Sequence, residues 1–262
     1  MEYEPYCDDF GPMNISVVTR FIKLLDQEVI ESNPKTKIVY CIQPGRRSLS
    51  NGLFLIGSYL ILKLDKDPDE VSSLFESLGL SMIETFRDAT YAPSDFDLEL
   101  IDCWRALKRA RNLGWILPAD AGTRKWGQID MDKYEHFESP ENGDMVEVVP
   151  GRFIAFKGPV DFTGRELGST FRDRFGVCRF TPSFYIDIFR SLNVTAIVRL
   201  NSPCYDPSPF LDAGMEHFDL IFEDCTAPTG PVIAAFLRIA DAAAGAITIL
   251  QGGPGPHGHA HR

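Results

Sequence analysis

The sequence predicts an α/β fold of two tandem units with mainly parallel sheets, the second unit incomplete. Short β-branched runs alternate with helical patterns along most of the 262 residues, which is typical of parallel sheets joined by helices. An acidic stretch, Asp130 to Pro150, divides this alternation into two parts. The composition, 44% hydrophobic and 24% charged, is that of a globular protein with a core.

The first element is a strand followed by a turn-rich loop and a helix. Lys37 to Ile42 is a β-branched run and predicts a buried strand. Leu53 to Leu64 predicts a buried helix. This order resembles a phosphate-cradling loop, in which Arg46 and Arg47 could bind an anion. The other interpretation, which we favour, is a structural turn with solvated arginines.

Two further helices are predicted in the first half. One begins at Pro68, because proline and acidic residues are preferred in the first turn of a helix. The other covers Phe96 to Leu113, where apolar residues recur at helical spacing. Ser94 or Asp95 could cap its start, and Gly114 ends it.

The second half alternates more regularly. A helix with a threonine cap and an early proline is expected at residues 181–192, and an alanine-rich helix at 231–244. Strands are expected at residues 151–156, 194–200, 218–222 and 246–249. We expect the last of these to be an interior strand of the sheet.

Charge and cysteine content exclude several function classes. The net charge of −11 argues against nucleic acid, because a binder of phosphates needs a basic face. The six cysteines form no C-x-x-C pair, which argues against zinc and for a reducing compartment. The longest apolar run, Leu53 to Leu64, is shorter than the about 20 residues of a membrane span, and no signal peptide is expected.

Ordered motifs along the chain resemble the cell-division-cycle-fourteen dual-specificity protein phosphatases. In the second half the matching stretches are Tyr134-Glu-His-Phe-Glu138, Glu141-Asn-Gly-Asp144, Val149-Pro-Gly-Arg-Phe-Ile-Ala-Phe156, Asn193-Val-Thr-Ala-Ile-Val-Arg-Leu-Asn201 and Asp212-Ala-Gly-Met-Glu-His-Phe-Asp219. In the first half they are Arg46-Arg47, Phe86-Arg-Asp-Ala89 and Asp102-Cys103. The resemblance implies a non-catalytic phosphatase-like domain at residues 1–130, an acidic linker or groove segment at 131–150 and a truncated catalytic domain at 151–262. It also implies a nuclear and cytoplasmic location.

The resemblance implies cofactor-free hydrolysis of phosphoserine and phosphotyrosine through a phosphocysteine. Such chemistry needs a thiolate at a helix N-terminus, backbone N–H groups and an arginine on the phosphate, and an acid for the leaving oxygen. The segment ending at Asp224 and followed by Ala227-Pro228 resembles the family loop that carries this acid. Taken alone, an aspartate before a turn is usually a cap; the flanking match favours the general acid.

The residues after the last strand depart from the family pattern. In register with the family loop His-Cys-Lys-Ala-Gly-Leu-Gly-Arg-Thr-Gly, the nucleophile position is Gln251 and the arginine position is His257. Neither replaces the family residue, because glutamine has no ionisable nucleophile and a neutral imidazole is not a guanidinium fork. We therefore expect this chain to be inactive.

The same residues have a specific explanation. GC-rich codons for the family loop, read two bases out of frame, spell Leu250 to Arg262 in full. A true frameshift, a splice event or a gene-model error would each give this string. The rival interpretation is weak metal binding by the alternate histidines His257, His259 and His261.

Acidic residues inside the matched motifs suggest the substrate. By the resemblance, Glu135, Glu138 and Asp144 line a groove that binds a basic residue shortly after a phosphoserine-proline. Converging carboxylates attract lysine and arginine, although most such charge runs are solvated linkers. A non-catalytic binder of basic peptides is the alternative function.

Overall fold

The computed structural model describes residues 9–33, 35–79, 82–87, 97–118, 123–161, 170–172, 177–223 and 226–250. The chain divides into two compact units, Met1–Met131 and Asp132–Arg262. Each unit has its own buried core.

Two long helices begin the first unit. Helix α1, Ile15–Glu31, starts where the Asn14 side chain accepts from the amide of Val17 at 2.9 Å, as an N-cap asparagine does. Helix α2, Arg46–Leu62, starts after Gly45, whose φ of 132° favours glycine. The sequence predicted a helix only over the apolar run Leu53 to Leu64, so α2 begins seven residues earlier than expected. Helix α1 was not predicted.

Helices α3 and α4 pack on α2. Helix α3 covers Pro68–Ser73 and α4 covers Leu100–Asn112, both as predicted in type. The cap of α4 is Glu99 rather than Ser94 or Asp95, because Glu99 and Asp102 form a reciprocal capping box. Gly114, at φ 71°, follows the helix end as predicted. A 3₁₀ turn lies at residues 76–78.

The strands of the first unit are short and antiparallel. Strand β1, Phe86–Arg87, pairs with β2, Asp97–Leu98, and β3, Lys125–Trp126, pairs with β4, Ile129–Asp130. Within its described ranges the unit has no parallel sheet, so the prediction of one here is wrong.

The predicted strand at Lys37–Ile42 is wrong as well. These residues form no strand, and Val39 is 77% exposed. A β-branched run becomes a strand only where a neighbouring strand satisfies its backbone groups. In the described residues of this unit no strand pairs with it.

The second unit is built on a five-stranded mixed sheet. Helix α5, Met131–Glu138, precedes it, so the 131–150 segment contains a helix and the edge strand β5. A separate antiparallel pair is formed by β7, Thr170–Arg172, and β8, Cys178–Phe180. The strands of the main sheet are β5 Met145–Val149, β6 Phe153–Phe156, β9 Val194–Arg199, β10 Glu216–Asp219 and β11 Ala246–Leu250.

The strand order is β10-β9-β11-β6-β5. Strands β10, β9, β11 and β6 are parallel, and only the edge strand β5 is antiparallel. Strand β11 is the central strand, which confirms the prediction of an interior strand at residues 246–249. Strand β10 begins and ends earlier than the predicted 218–222.

Helices cover both faces of this sheet. On one face, α6 (Pro182–Ser191) and α7 (Ser208–Asp212) bury Tyr185, Phe189 and Phe210 in the larger core. On the other face, α8 (Gly230–Ala242) packs through Ala240. Helices α6 and α8 confirm the predictions for 181–192 and 231–244, while α7 was not predicted.

Candidate functional site

The four parallel strands end at one edge of the sheet of the second unit. Their last residues lie side by side in the order Phe156, Leu250, Arg199 and Asp219, each paired in register with its neighbour. In open α/β sheets, ligands bind outside the carboxyl ends of the strands. This carboxyl edge is therefore the candidate functional site.

An ion pair joins the ends of β9 and β10. The Arg199 guanidinium donates from Nε to Asp219 Oδ1 at 2.7 Å and from Nη2 to Asp219 Oδ2 at 2.8 Å. Its Nη1 donates to the Tyr205 carbonyl at 2.9 Å, and the guanidinium lies 4.7 Å from the centre of the Tyr205 ring. The Arg199 side chain is only 4% exposed, so this charge is stabilised by fixed partners rather than by water.

A tyrosine and a histidine complete this cluster. The Tyr205 hydroxyl and His217 Nε2 are 2.7 Å apart, and His217 Nδ1 lies 3.8 Å from Asp219 Oδ1. These distances fit a neutral imidazole that accepts from Tyr205 at Nε2 and points its Nδ1–H towards Asp219. We call Arg199, Asp219, Tyr205 and His217 the edge cluster.

Burial and charge shift the pKa values in the edge cluster. Hydrogen bonds from Arg199 hold the pKa of the Asp219 carboxyl below its ordinary value. Burial lowers the pKa of His217, and the Arg199 charge acts in the same direction. Burial also raises the pKa of Tyr205. The cluster is thus a charged pair with a neutral histidine and a neutral tyrosine at pH 7.

The neighbouring loop is tied to the segment that follows β6. The amide of Asp161 donates to the Cys204 carbonyl at 3.1 Å, and the amide of Asp206 donates to Asp161 Oδ2 at 2.7 Å. The Cys204 thiol contacts the Pro159 carbonyl at 3.7 Å. Burial raises the pKa of this thiol, which makes it a poor nucleophile.

The chain after β10 stays attached to β9. The amide of Leu220 donates to the Arg199 carbonyl at 2.9 Å, and that of Phe222 donates to the Leu200 carbonyl at 3.1 Å. Asp224, the predicted general acid, follows two residues later and lies outside the described residues. Gln251, His257, His259 and His261 also lie outside them, so their predicted roles stay predictions.

The predicted substrate residues lie in or near α5. Glu135 and Glu138 are spaced i,i+3 on this helix and therefore lie on one of its faces; both are half-buried and both interact with neighbours. Asp144 precedes β5 at φ 52°, and its carboxylate lies 3.4 Å from Lys157 Nζ. A basic ligand at Asp144 would compete with Lys157.

Arg46 and Arg47 contact protein groups at the start of α2. Arg46 Nη2 donates to the Ile83 carbonyl at 2.8 Å, and Arg47 Nε donates to Glu84 Oε1 at 2.8 Å. Arg47 also lies 5.3 Å from the centre of the Phe10 ring. These contacts favour the structural turn over the anion site.

Helix α4 carries three basic residues near its end, Lys108, Arg109 and Arg111, and two of them contact the end of α2 and the residues after it. Lys108 and Arg111 both contact Asp65 Oδ1, at 2.7 and 2.6 Å, and Arg111 Nε donates to the Leu62 carbonyl at the end of α2. Lysine and arginine are favoured at helix C-terminal carbonyls. Lys108 and Arg111 therefore help to hold α4 against the end of α2.

Neither a metal-binding cluster nor a membrane-spanning helix is present among the described residues. In the part of the chain that the structure describes, no three histidine, cysteine or acidic side chains come together as a metal site would require. No helix in the same ranges has the length and hydropathy needed to cross a bilayer.

Sequence reasoning missed the edge cluster. The sequence feature that could have indicated this cluster is Arg199, a charged residue inside the apolar run Val194-Thr-Ala-Ile-Val-Arg-Leu200. A buried charge within a strand requires a fixed partner, and the sequence did not identify Asp219 as that partner.

Comparison with known proteins gives one consistent family. Residues 1–110 match the family described as dual specificity protein phosphatase, N-terminal half. The dual specificity protein phosphatase CDC14C of Symphalangus syndactylus is 35% identical over 250 residues, which are 95% of this chain and 48% of that protein. CDC14C of Homo sapiens is 34% identical and is covered to 52%.

CDC14A of Homo sapiens is 34% identical over 248 residues, 94% of this chain and 39% of that protein. The chain thus spans about half the length of the CDC14C proteins it matches. The chain belongs to the CDC14-type dual-specificity protein phosphatases, and its α/β fold with a mixed sheet is phosphatase-like.

Proposed function

We propose that residues 1–249 are the scaffold of a CDC14-type phosphatase that hydrolyses phosphoserine-proline and phosphotyrosine through a phosphocysteine. The observation that carries the proposal is the shared carboxyl edge of β10, β9 and β11. The segment leading to Asp224 follows β10, and Gln251 follows β11, so both segments start at this edge on either side of β9. A general acid and a nucleophile on opposite sides of a phosphate require this kind of placement.

The proposed organisation is two phosphatase-like domains in tandem. Residues 1–130 form the non-catalytic domain, residues 131–150 contribute the acidic groove, and residues 151–262 belong to the catalytic domain. Arg46 and Arg47, engaged with Ile83 and Glu84, support a structural rather than a catalytic role for the first domain.

The chain as written is proposed to be inactive. Gln251 occupies the nucleophile position and His257 the arginine position, because residues 250–262 are the catalytic loop in a shifted frame. Sequencing the transcript from codon 249 to codon 262 tests this origin. A nucleotide string that does not encode the family loop in the other frame would refute it.

Activity assays test the proposed function. We define the in-frame product as residues 1–249 followed by the catalytic loop and by everything that the transcript encodes after it in the corrected frame. The in-frame product should hydrolyse an aryl phosphate and a phosphoserine-proline peptide, and the 262-residue chain should hydrolyse neither. Gln251→Cys in the 262-residue chain is a matched control and should stay inactive, because His257 cannot clamp the phosphoryl group.

Turnover by the 262-residue chain would contradict the loss of the catalytic loop. A folded in-frame product without turnover would contradict the phosphatase assignment itself. If the 262-residue chain instead binds basic peptides and the in-frame product is also inactive, the non-catalytic binder would replace the proposal.

The substrate preference is proposed to depend on Glu135, Glu138 and Asp144. Replacing Glu135 and Glu138 by glutamine in the in-frame product removes two carboxylates from one face of α5. The preference for a basic residue after phosphoserine-proline should weaken. Glu216→Gln, on the exposed edge strand β10, is the control; equal selectivity in all variants would refute the assignment.

A further inference from the structure

The edge cluster contains a buried charge, the Arg199 guanidinium, and each of its three nitrogens donates a hydrogen bond. All three kinds of donor on the Arg199 guanidinium are used: Nε and Nη2 on Asp219, and Nη1 on the Tyr205 carbonyl. Bidentate pairs of this kind fix the direction as well as the distance between their partners. The Arg199 side chain is buried but the Asp219 side chain is 44% exposed, and an ion pair that is exposed on one side adds little to stability. Its main consequence is therefore the fixed position of the two strand ends relative to each other.

The geometry is imposed at one place in the chain. Asp219 is the last residue of β10, and Arg199 is the last residue of β9 and pairs with it in register. The His217 ring, two residues before Asp219 on the same strand, is held by the Tyr205 hydroxyl at 2.7 Å. The end of β10 is therefore fixed through two of its side chains. His217 contacts the Tyr205 hydroxyl directly, and Asp219 accepts from Arg199, which also donates to the Tyr205 carbonyl.

The fixed end of β10 determines where the next segment starts. The amides of Leu220 and Phe222 donate to the carbonyls of Arg199 and Leu200. The chain thus remains in register with β9 as far as Phe222, beyond the last residue of the strand. These two hydrogen bonds require the backbone of Asp219 to keep its present orientation.

We propose that Arg199 and Asp219 are positioning residues that hold segment 220–223 and, through it, set the place of the general acid. This inference rests on the proposed function, because it assumes that the segment leads to the general acid. A general acid must come within hydrogen-bond reach of the leaving oxygen. A shift of about 1 Å in such a group can cost about a hundredfold in rate.

Hydrogen exchange in the 262-residue chain tests the positioning without any activity. Asp219→Asn keeps the shape of the side chain and removes its charge. Exchange of the Leu220 and Phe222 amides should become about tenfold faster, since a hydrogen bond to a charged group is lost. The Ile247 amide, which donates to the Arg152 carbonyl in the central part of the sheet, should change little.

Asp212→Asn is the matched control, because Asp212 is an exposed aspartate at the end of α7. Arg199→Lys is a second variant, which keeps the charge and removes the bidentate contact, and it should act in the same direction. Equal acceleration at Leu220, Phe222 and Ile247 would mean that the pair supports only the whole fold, and would overturn the inference. Unchanged exchange at Leu220 and Phe222 would overturn it as well.

Rates on two leaving groups test the consequence in the in-frame product. An acidic phenol leaves without much protonation, whereas the serine of a phosphoserine peptide needs the general acid. Asp219→Asn should therefore lower kcat on the peptide about tenfold more than kcat on the aryl phosphate. Equal losses on both substrates would contradict positioning, whereas an inactive in-frame product with intact exchange effects would count against the proposed function alone.

Discussion

At the scale of single residues, one buried hydroxyl lacks the partner that its burial demands. Thr248 is 0% exposed in the central strand β11, and its Oγ1 has no hydrogen-bond partner within the described ranges. Thr195, in the neighbouring strand β9, differs because its Oγ1 accepts from the amide of Gly245 at 3.0 Å. The two threonines allow the same substitution to be tested with opposite expectations.

Thr248→Val should raise the free energy of unfolding by about 1 kcal/mol, because a desolvated hydroxyl is replaced by a methyl group of similar size. Thr195→Val should lower it by a similar amount, because the Gly245 amide loses its acceptor. Urea unfolding of both variants measures the difference. Destabilisation by both substitutions would show that the Thr248 hydroxyl is satisfied.

The edge cluster predicts how stability depends on pH. The pKa of His217 is lowered by burial and by Arg199, so below about pH 6.5 the unfolded chain binds the proton more readily. Stability should therefore be full above that pH and fall as the pH decreases from it. The pKa of Asp219 is lowered chiefly by hydrogen bonds from Arg199, so its contribution is present above about pH 4 and is lost at lower pH.

Unfolding free energies at pH 7.5, 6 and 5 would measure the histidine contribution. His217→Gln keeps a partner for Tyr205 and cannot be protonated, so it should reduce the dependence in this range. His136→Gln, at an exposed site on α5, should retain it. A wild-type chain more stable at pH 5 than at pH 7.5 would contradict the predicted loss of stability as the pH falls.

At the scale of elements, close packing of α2 on α4 depends on a glycine. A Cβ atom at Gly57 would lie 2.3 Å from Cε2 of Trp104, whose ring is buried and whose Nε1 donates to the Phe54 carbonyl at 3.3 Å. Glycine inside a helix normally costs about 0.5–1 kcal/mol relative to alanine. Here that cost is outweighed by the contact between the helices.

Gly57→Ala should therefore destabilise the first unit by about 1–3 kcal/mol through overpacking, although alanine has the better helix propensity. Gly230→Ala is the control, because a Cβ atom there meets no atom of the structure within 4 Å. The midpoints of thermal unfolding of the two variants provide the comparison. Stabilisation by Gly57→Ala would mean that Trp104 can move at little cost.

Local sequence patterns predicted the helices and the second sheet better than they predicted the first unit. Helix α6 could be predicted from the threonine and proline at its start. Strands β9 and β11 could be predicted from their apolar β-branched runs. Both kinds of pattern are local in the sequence. The run Lys37–Ile42 carried the same strand signal and forms no strand, since pairing is a property of the whole sheet. Arg199 was visible as a charge in an apolar run, but Asp219 could be found only from the strand order.

At the scale of the whole molecule, all three tryptophans lie in one of the two units. Trp104, Trp115 and Trp126 belong to the unit Met1–Met131, and the aromatic core of Asp132–Arg262 contains tyrosine and phenylalanine instead. Tryptophan fluorescence therefore reports on the first unit alone, whereas far-ultraviolet circular dichroism reports on both. The chain can thus be followed unit by unit without cutting it.

Each unit has its own core, so we expect the units to unfold in separable transitions. Gly57→Ala should lower the midpoint of the fluorescence transition, and Thr248→Val should leave that midpoint unchanged while raising the second transition seen by circular dichroism. Urea titrations followed by both probes on each variant provide the measurement. A single transition that coincides for both probes, and that both substitutions shift, would show that the two cores fold as one cooperative unit.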